Sequence, residues 1–414
     1  MIYIYNILGI ILIPLIKLNV LLRIYQKKEM ALRYKERFGI SNEINNNNKK
    51  IIWIHAASIG EFKSADYLIN KYNKNFTLLI TTTTLSAANY AIKNYGDLII
   101  HQFAPLDISF WIKKFLKKWN PKLIIWIESD LWPVTLKKIK EKNINAILIN
   151  LRLSPKSLKR WSLMPSFYNN LLDNFSYIFA QSKIDQERIQ LLSSKKVKFI
   201  GNLKFTNKDY DLQKNRAIKL KSDPNIITIM LCSTHYNEEF QMLPVIKNIQ
   251  NEFKNIRFII APRHPERSKE IINLCKSYNL TAQLESEKNL NQNNIIVINS
   301  FGILSHYFKI TDIAFLGGSL IPAGGHNPIE PAYQKCAIIT GHQLFNWQNI
   351  FDDMIKNNAC LKINSMEELK NNLKNLINNK NIIEAMKTNA YNFSQKQFFD
   401  MKSLEKIIDN LMNL

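Results

Sequence analysis

Residues 51–61 read IIWIHAASIGE and join an apolar run, four small or apolar residues and a glutamate. The run Ile51–Ala56 is rich in β-branched and aromatic side chains, which is typical of a buried strand. Small residues at positions 57–60 allow a ligand to approach the backbone closely. Glu61 then opens an amphipathic stretch. A strand that passes through small residues into a helix is the first part of a βαβ unit.

The same alternation of short β-rich runs and amphipathic stretches continues along the chain in two series. The first series of predicted strands is Ile51–Ala56, Thr77–Thr82, Asp97–Phe103, Lys122–Glu128, Ala146–Asn150 and Tyr177–Gln181. The second is Ile226–Leu231, Ile256–Ala261, Ile295–Ile298, Ile313–Leu316 and Ala337–Thr340. Strands that alternate with helices of about 10–15 residues favour parallel sheets. We therefore predict an α/β protein with two Rossmann-like domains, joined near the polar stretch Thr206–Asn225.

The chain begins with an apolar segment, residues 2–22, whose uninterrupted part runs only from Ile7 to Ile16. A full span needs about 20 mostly apolar residues. Basic residues follow, from Arg23 to Arg37, and no small-residue cleavage site is present. The pattern predicts an uncleaved anchor or an in-plane membrane helix, with the main body kept in the cytoplasm by the positive-inside rule. The alternative is a buried core helix.

Composition narrows the class of protein. Lys and Arg total 56 against 33 Asp and Glu, a formal net charge of +23, and 46% of residues are hydrophobic. This excludes a disordered chain and predicts attraction to anions such as nucleic acid, acidic membranes or phosphorylated and carboxylated substrates. The four cysteines form no CxxC pair and the seven histidines no HExxH motif. Neither a disulfide scaffold nor a structural zinc site is predicted.

Three charged residues in the first half follow predicted strands. Glu61 is either a general base or an acid that stabilises the start of its helix. Glu128, in the motif IESDLWP (127–133), ends an apolar strand and is either functional or part of a capped helix start. Lys204, in GNLKF (201–205), either meets an anion between the domains or stays solvated.

Three motifs in the second half follow strands in the same way. In CSTHYNEE (232–239) a hydroxyl group either caps a helix or binds phosphate. In APRHPER (261–267) the prolines stiffen a cationic loop, and arginine suits phosphate recognition, although a plain surface loop is the alternative. In GGSLIPAGGHNPIEP (317–331) the backbone amides can cradle phosphate, and Asn327 and Glu330 can reach a base or ribose. This last motif is neither a Walker loop nor GxGxxG.

Together these motifs resemble a known family, the 3-deoxy-D-manno-octulosonic acid (Kdo) transferases of lipopolysaccharide synthesis. The resemblance covers nearly the whole chain. It implies a GT-B arrangement, in which two Rossmann-like parallel-sheet domains face each other across a cleft behind an N-terminal membrane helix. The implied division is a membrane anchor or interfacial helix at 1–28, an acceptor domain at 29–210 and a CMP-Kdo-binding domain at 211–414. The matching motifs are, in the family's order, WIHAASIGE, IESDLWP, INLRLSPKS, GNLKF, STHYNEE, APRHPER and GGSLIPAGGHNPIEPA.

The resemblance also assigns roles to individual residues. Glu61 matches the family's proton acceptor, and Glu128 and Lys204 match positions assigned to transition-state stabilisation. The CMP-binding positions correspond to Pro262, Arg263, Phe301, Gly302, Ile303, Asn327, Pro328, Ile329 and Glu330. The chain departs from the family's usual residues at three places: Cys232 stands for Gly, Thr206 for Asp, and Ile303 for Glu. The segment around Ile303 is therefore the one whose contacts we expect to differ.

The resemblance implies an inverting, metal-independent transfer of Kdo from CMP-Kdo to the lipid A precursor lipid IVA, with no cofactor. It implies work at the cytoplasmic side of the bacterial inner membrane, with acidic lipids and no nucleic acid among the partners. One alternative is a GT-B glycosyltransferase that uses another nucleotide sugar. A second is a basic, non-catalytic protein that binds membranes or RNA, although the paired lysines at 113–114, 117–118 and 137–138 fit solvated helix faces.

Overall fold

A computed structural model describes residues 1–45, 49–128, 130–205, 220, 223–287, 290 and 295–413. The chain divides into two compact units, one formed by Met1–Phe205 with Phe399–Leu414 and the other by Thr206–Phe398. Some predicted features lie outside the described residues. They are Ser129 of IESDLWP, the departure at Thr206, the domain boundary at 210/211 and most of the stretch Thr206–Asn225.

The first unit is built on a parallel sheet of seven strands. Their bounds are β1 Ile51–His55, β2 Thr77–Thr82, β3 Ile100–Phe103, β4 Leu123–Ile127, β5 Asn145–Leu151, β6 Tyr177–Ala180 and β7 Val197–Lys198. The strand order is β3-β2-β1-β4-β5-β6-β7. The chain thus winds outward in one direction from β1 and then in the other from β4, so the order reverses between these two adjacent strands. In open α/β sheets such a switch point opens a crevice for ligands beyond the carboxyl ends of the strands.

Helices cover both faces of this sheet. Every residue of β1 is buried: Ile52 and Ile54 pack in one core cluster with Phe62, and Trp53 packs in the other with Phe115. Burial on both faces explains why the strand sequences are continuously apolar rather than alternating. The helices are α1 Ile2–Ile11, α2 Ile13–Tyr25, α3 Ile59–Ser64, α4 Asp66–Tyr72, α5 Leu85–Tyr95, α6 Ser109–Trp119, α7 Pro133–Glu141, α8 Pro155–Trp161, α9 Pro165–Leu172 and α10 Lys183–Gln190.

The second unit repeats the doubly wound design. Its parallel sheet has the order β10-β11-β9-β8-β12-β13-β14, with β8 Ile227–Thr234, β9 Ile256–Pro262, β10 Ala282–Leu284, β11 Ile295–Val297, β12 Ile313–Leu316, β13 Ala337–Thr340 and β14 Cys360–Lys362. Its helices are α11 Glu238–Glu252, α12 Ser268–Ser277, α13 Leu304–Phe308, α14 Ile329–Tyr333, α15 Gln348–Lys356, α16 Met366–Asn378 and α17 Lys380–Gln397. The two predicted Rossmann-like sheets are therefore confirmed.

The last helix, α18 (Met401–Met412), belongs to the first unit. Its buried residues Leu404 and Ile408 pack in the same core cluster as Phe62. The backbone N–H of Phe399 donates to the carbonyl of Phe205, 3.1 Å away, which joins the returning chain to the segment where it left. The predicted second domain, 211–414, is therefore too long at its C-terminal end. The apolar face of α18 completes the core of the first sheet instead.

Some predicted strand limits differ from the structure. The strand predicted to begin at Asp97 begins at Ile100, because Gly96–Leu98 form a turn of 3-10 helix. The edge strands β10 and β14 carry no apolar run long enough to have been predicted. The strands Thr77–Thr82, Ile313–Leu316 and Ala337–Thr340 are confirmed at both ends.

The N-terminal segment forms two helices, α1 and α2, bent by 65° at their junction. Pro14 lies in the first turn of α2, where it has no N–H to continue a helix from α1. Within the described residues neither helix alone has the length and apolar content of a bilayer span, and the bent pair meets that test only when taken together. The side chain of Asn6 accepts a hydrogen bond from the Ser109 N–H at 3.0 Å, which ties α1 to the start of α6.

Candidate functional site

The candidate residues of the first unit gather at the carboxyl edge of its sheet. Glu61 follows β1 and Glu128 follows β4, the two strands between which the strand order reverses. The GNLKF segment follows β7 but reaches back toward β5, because the Leu203 N–H donates to Oδ1 of the buried Asn150 at 3.0 Å. The fold therefore brings all three sequence-predicted residues of this half to one edge.

Glu61 closes a capping box at the start of α3. The hydroxyl of Ser58 accepts from the Glu61 N–H at 3.4 Å and donates to its Oε1 at 2.9 Å. The Ala57 N–H donates to Oε2 at 2.6 Å. Glu61 stabilises its helix start, as one of the two interpretations predicts, and its side chain is also buried, with 9% of its surface exposed.

Burial raises the pKa of Glu61 from 4.5 to about 7. The hydrogen bond from Ser58 opposes this rise, and the negative charges of Glu128 and Asp130 add to it. A carboxyl group with a pKa near 7 is divided between its two protonation states at neutral pH, which is the condition that favours general base catalysis. The general-base interpretation is therefore compatible with the helix-capping one.

Glu128 and Lys204 form an ion pair. The Lys204 Nζ lies 2.6 Å from Oε1 of Glu128, so the anion that this lysine meets within the first unit is a carboxylate of the same chain. Glu128 has a φ of 63°, in the left-handed region that non-glycine residues rarely adopt. Such strain is concentrated at functional sites, where the surrounding structure holds the residue in place. Here the Glu128 N–H donates to the Ile149 carbonyl at 2.9 Å.

His55 is a residue of this edge to which the sequence analysis assigned no role. It is fully buried at the end of β1, and burial lowers its pKa to about 3, so its ring is neutral. Its Nδ1 lies 2.9 Å from the Thr81 hydroxyl, and its ring packs 4.1 Å from Trp126 and 5.6 Å from Trp132, measured between centroids. The sequence did contain an indication of this residue, because His55 is the polar residue that ends the otherwise apolar strand β1.

The second unit also gathers its candidates at the carboxyl edge of its sheet. Pro262 is buried at the end of β9, and the Arg263 N–H donates to the Thr234 carbonyl at 2.8 Å. The Arg263 side chain is exposed, and within the described residues its guanidinium has no hydrogen-bond or ion-pair partner. Arg267, four residues on, is instead bound to Glu239 by two contacts of 3.1 and 3.2 Å. Of the two, Arg263 is the one that can bind an incoming anion.

The glycine-rich loop does not present its first amides to a ligand. The buried carboxylate of Glu238 accepts from the N–H groups of Gly318, Ser319 and Leu320 at 2.7, 3.1 and 3.1 Å. It also accepts from the His235 N–H at 2.9 Å. The prediction of a phosphate cradle is wrong for these three amides, since a carboxylate of the same unit occupies them.

The hydroxyl pair also behaves differently from the prediction. The Thr234 hydroxyl donates to Oε1 of Glu239 at 2.7 Å, and the residue before α11 is Asn237, whose side chain makes no capping bond. The predicted cap at Ser233 or Thr234 is therefore wrong. Because Glu238 and Glu239 occupy the first turn of α11, their carboxylates take the bonding groups that a phosphate would need there.

The segment after β11 offers little side-chain chemistry. Phe301 has 69% of its surface exposed, and Gly302 has a φ of 76° with open space around it. Ile303 is buried, with 4% exposed. A side chain buried to this degree leaves only backbone groups for a ligand, so the glutamate that the family usually has here is not replaced by another polar contact from Ile303.

The NPIE segment has two polar residues and two buried apolar ones. Asn327 Oδ1 accepts from the Ile329 N–H at 3.0 Å, which forms a tight turn before α14. Pro328 and Ile329 are buried. Burial raises the pKa of Glu330 to about 7. Asn327 and Glu330 are therefore the polar side chains that this segment can offer to a nucleotide.

Two histidines lie together over the glycine-rich loop. The Nε2 atoms of His235 and His326 are 2.9 Å apart, and the rings stack with an angle of 11° between their planes. Gly318 lies beneath them with a φ of 64°, and a Cβ there would come within 3.1 Å of His326 Nε2. The loop therefore needs glycine at this position both for its backbone conformation and for the room that the rings take.

Comparison with known proteins gives one consistent result. Residues 32–207 match the family model described as 3-deoxy-D-manno-octulosonic-acid transferase (kdotransferase). The chain is 32% identical to a 3-deoxy-D-manno-octulosonic acid transferase of Rickettsia felis over 100% of this chain and 99% of that protein. It is 29% identical to the enzyme of that name from Haemophilus influenzae, over 99% and 97%.

Among solved structures, the fold is similar to that of a glycosyltransferase from Rickettsia africae. The TM-score is 0.55 at 16% sequence identity, over 88% of this chain and 99% of that one. At this identity the likeness concerns the fold alone. It extends over both parallel-sheet units.

Proposed function

This chain belongs to the 3-deoxy-D-manno-octulosonic acid transferase family, and on that premise we propose that it transfers Kdo from CMP-Kdo to the lipid A precursor lipid IVA in lipopolysaccharide synthesis. Membership makes it a glycosyltransferase. The observation that carries the proposed chemistry is the buried Glu61 carboxyl, whose pKa of about 7 suits a general base at the switch point of the first sheet.

The proposed reaction is a single displacement with inversion. Glu61 accepts the proton of an acceptor hydroxyl while that oxygen forms the new bond to the anomeric carbon of Kdo. The bond between this carbon and the phosphate oxygen breaks, and CMP leaves with the electron pair. Ser58 and the Ala57 N–H hold the Glu61 carboxylate in place before the proton arrives, so little reorganisation accompanies its transfer.

We assign supporting roles to the ion pair. The negative charge of Glu128 helps to keep the pKa of Glu61 high, which makes Glu61 a stronger base. Glu128 also positions the Lys204 ammonium, 2.6 Å from its Oε1. The positive charge of Lys204 offsets negative charge that builds up on the reacting groups.

We place the nucleotide at the carboxyl edge of the second sheet. Arg263 supplies an unpaired guanidinium for phosphate, with the fork geometry that binds two oxygens. Pro262, Phe301, Gly302 and the NPIE segment from Asn327 to Glu330 form the rest of the proposed CMP site, with Ile303, Pro328 and Ile329 contributing backbone. We propose that fixed cationic groups stabilise the departing phosphate and that transfer continues when divalent metal ions are chelated.

We place one acyl chain of the lipid acceptor in a cavity of about 400 Å³ beside the N-terminal helices. Its lining includes the apolar residues Ile16, Val20, Leu106 and Trp132 and the polar or charged residues Asn19, Arg23, Glu29, Arg37 and Thr83. Trp132 also contacts the ring of His55, so this residue links the cavity lining to the candidate catalytic edge. The apolar part of the lining suits an acyl chain. Arg23 is already paired with Glu29 at 3.4 Å, so we assign it no phosphate of the lipid.

We propose that α1 and α2 lie in the cytoplasmic surface of the bacterial inner membrane. Asn6 holds α1 against the first unit. Apolar side chains of the same helix, such as Ile4, Ile7 and Ile11, are exposed. A helix fixed in this way presents an apolar face to lipid without crossing the bilayer, and the net charge of +23 adds attraction to acidic lipids. The substitution I11K should weaken sedimentation with anionic vesicles, whereas I382K, at an exposed isoleucine in the second unit, should not.

The decisive experiment incubates the full chain with CMP-Kdo and tetraacylated lipid A precursor and identifies the products by mass spectrometry. We expect a lipid mass increased by one or more Kdo residues, and CMP released in equal amount, with or without a chelator. UDP- and ADP-sugars serve as control donors. Transfer from one of these and not from CMP-Kdo would contradict the proposed donor.

A further inference from the structure

The His235–His326 pair in the second unit has no role in the transfer chemistry proposed above. A 2.9 Å contact between two Nε2 atoms requires that one ring carries a proton there and the other a lone pair. Neither Nδ1 atom has a hydrogen bond within the described residues. The donor ring can therefore take a second proton on its Nδ1 and keep the bond to its partner.

The groups around the pair keep it neutral. His235 faces Glu238, Glu239, His264 and Arg263, and His326 faces His235 and Arg263. Both nearby carboxylates are already engaged, Glu238 by four backbone N–H groups and Glu239 by Arg267. Burial is the largest cause and lowers the pKa of both rings, to about 4 for His326, where His235 and Arg263 lower it further. For His235 the charges of His264 and Arg263 also lower the pKa, and those of Glu238 and Glu239 oppose the fall without reversing it.

An arriving phosphate reverses this balance. Its negative charge offsets that of Arg263 and stabilises an added proton on the rings. The protonated pair then donates a charge-assisted hydrogen bond, which is shorter and stronger than a neutral one. The open Nδ1 atoms and the unpartnered guanidinium thus supply two kinds of cationic contact at the same edge of the sheet.

We propose that the His235–His326 pair is a proton-coupled receptor for the nucleotide phosphate: it is neutral in the empty unit, takes one proton from solvent as the phosphate binds beside Arg263, and returns it when CMP leaves. The inference rests on the proposed function, because it assigns the phosphate of that nucleotide to this edge. No bond between heavy atoms forms or breaks: a solvent proton adds to the lone pair of a ring Nδ1 and later returns to solvent.

Calorimetric titration of the full chain with CMP tests the proton uptake directly. Repeating the titration at pH 7 in buffers of different ionisation enthalpy gives the number of protons taken up on binding. We expect an uptake near one proton for the unaltered chain, and a CMP affinity that falls as the pH rises through the pKa of the phosphate-bound pair.

Variants assign the proton to the pair. The substitution H326Q keeps a donor but cannot titrate, and we expect it to remove most of the uptake and to weaken CMP binding by about tenfold. H235Q should behave in the same way. H264N is the matched control, because this exposed histidine lies near His235, at 6.4 Å between ring centroids, without a hydrogen bond to the pair. Any proton that the CMP phosphate itself gains or loses on binding contributes to every titration. It therefore drops out when the uptake of a variant is subtracted from that of the unaltered chain.

The outcomes separate this inference from the proposed function. CMP that binds with equal proton uptake in H326Q, H235Q and the unaltered chain would overturn the proton-coupled receptor and leave the transferase proposal intact. Loss of melting temperature without a change in uptake would show a purely structural pair. If CMP does not bind to the folded protein, the proposed donor is wrong, and the inference about the histidine pair is wrong with it. The pH dependence of the unaltered chain tests the inference even if both glutamine variants fail to fold.

Discussion

In each sheet the first strand is followed by a helix with a glutamate in its first turn. The two glutamates, Glu61 and Glu238, differ in their hydrogen-bond partners. Glu61 follows β1 and accepts hydrogen bonds from one backbone N–H and one hydroxyl. Glu238 follows β8 and accepts from four backbone N–H groups. Both are buried, so burial alone does not distinguish a reactive carboxyl from a structural one. The two carboxylates differ in how many hydrogen-bond donors offset their negative charge.

The difference indicates how two similar sheets divide the work. A carboxylate with several N–H donors is stabilised in its charged form and holds loops together. A buried carboxylate with few donors, and with the negative charges of Glu128 and Asp130 nearby, gains a high pKa and can exchange a proton near neutral pH. The first sheet therefore offers its glutamate for the proton transfer that we propose, and the second uses its glutamate to close a loop.

The substitution E61Q should have the largest effect. Glutamine keeps the shape of the side chain but cannot accept the hydroxyl proton, and a positioned base contributes about 10²–10⁴-fold to the rate. We expect turnover to fall by that factor while CMP affinity stays near its original value and the melting temperature does not fall. Near-normal turnover of folded E61Q would remove the base assignment and move it to Glu128.

The substitution E238Q tests the other half of the comparison. The glutamine side chain has one oxygen, which cannot accept from all four N–H groups that the two carboxylate oxygens serve. Its NH2 group is itself a donor and would face some of these N–H groups. Leaving buried donors unsatisfied should lower the free energy of unfolding by about 2–4 kcal/mol. Chemical denaturation of both variants checks this: E238Q should lose stability and E61Q should not. Equal stability of E238Q and the unaltered chain would show that the loop does not depend on this carboxylate.

The substitution R263A should weaken donor binding and spare the acceptor. Losing a charge-assisted pair costs about 1.5–3 kcal/mol, which is roughly a tenfold to hundredfold rise in the apparent dissociation constant of CMP-Kdo. Titrations of donor and acceptor against the same preparation measure the two effects separately. R267A is the informative contrast, because it breaks the pair with Glu239 and should lower stability before it affects donor affinity.

Close to neutral pH the profile should show the smallest effect, and it concerns Glu61 alone. The group must be deprotonated to act as a base, so kcat at saturating CMP-Kdo should fall about tenfold per pH unit below a pKa of about 7 and level off above it. The raised pKa also means that the folded state binds more protons than the unfolded state between 4.5 and about 7. Stability should therefore decrease as the pH rises through this range, and E61Q should remove that slope. A profile that bends near 4.5 would contradict the buried-base assignment.

The sequence predicts much of this arrangement because local chemistry determines it. Continuous apolar runs such as Ile313–Leu316 define buried parallel strands, and polar residues after them mark the edge where a ligand binds. The edge strands β10 and β14 were missed because each has only three residues and one of them is polar, whereas the equally short β11 is wholly apolar and was predicted. A local pattern this short and mixed does not distinguish a strand from a loop.

What the sequence did not predict depends on contacts between distant residues. Glu238 meets the N–H of Gly318 across 80 positions, and no local pattern shows that this carboxylate fills the loop that its glycines suggest for phosphate. The pairing of His235 with His326 spans 91 positions and was missed for the same reason. The return of α18 to the first unit depends on which core has room for its apolar face.

The position of α18 has a consequence for how the protein is made. Leu404, Ile408 and Met412 belong to the core that is built around β1, yet they are the last of its residues to leave the ribosome. The first unit therefore cannot finish folding during translation of its own strands, whereas the second unit is complete in the chain before α18 is synthesised. A released chain that ends at residue 398 should contain a second unit that resists protease and a first unit that is still cleaved.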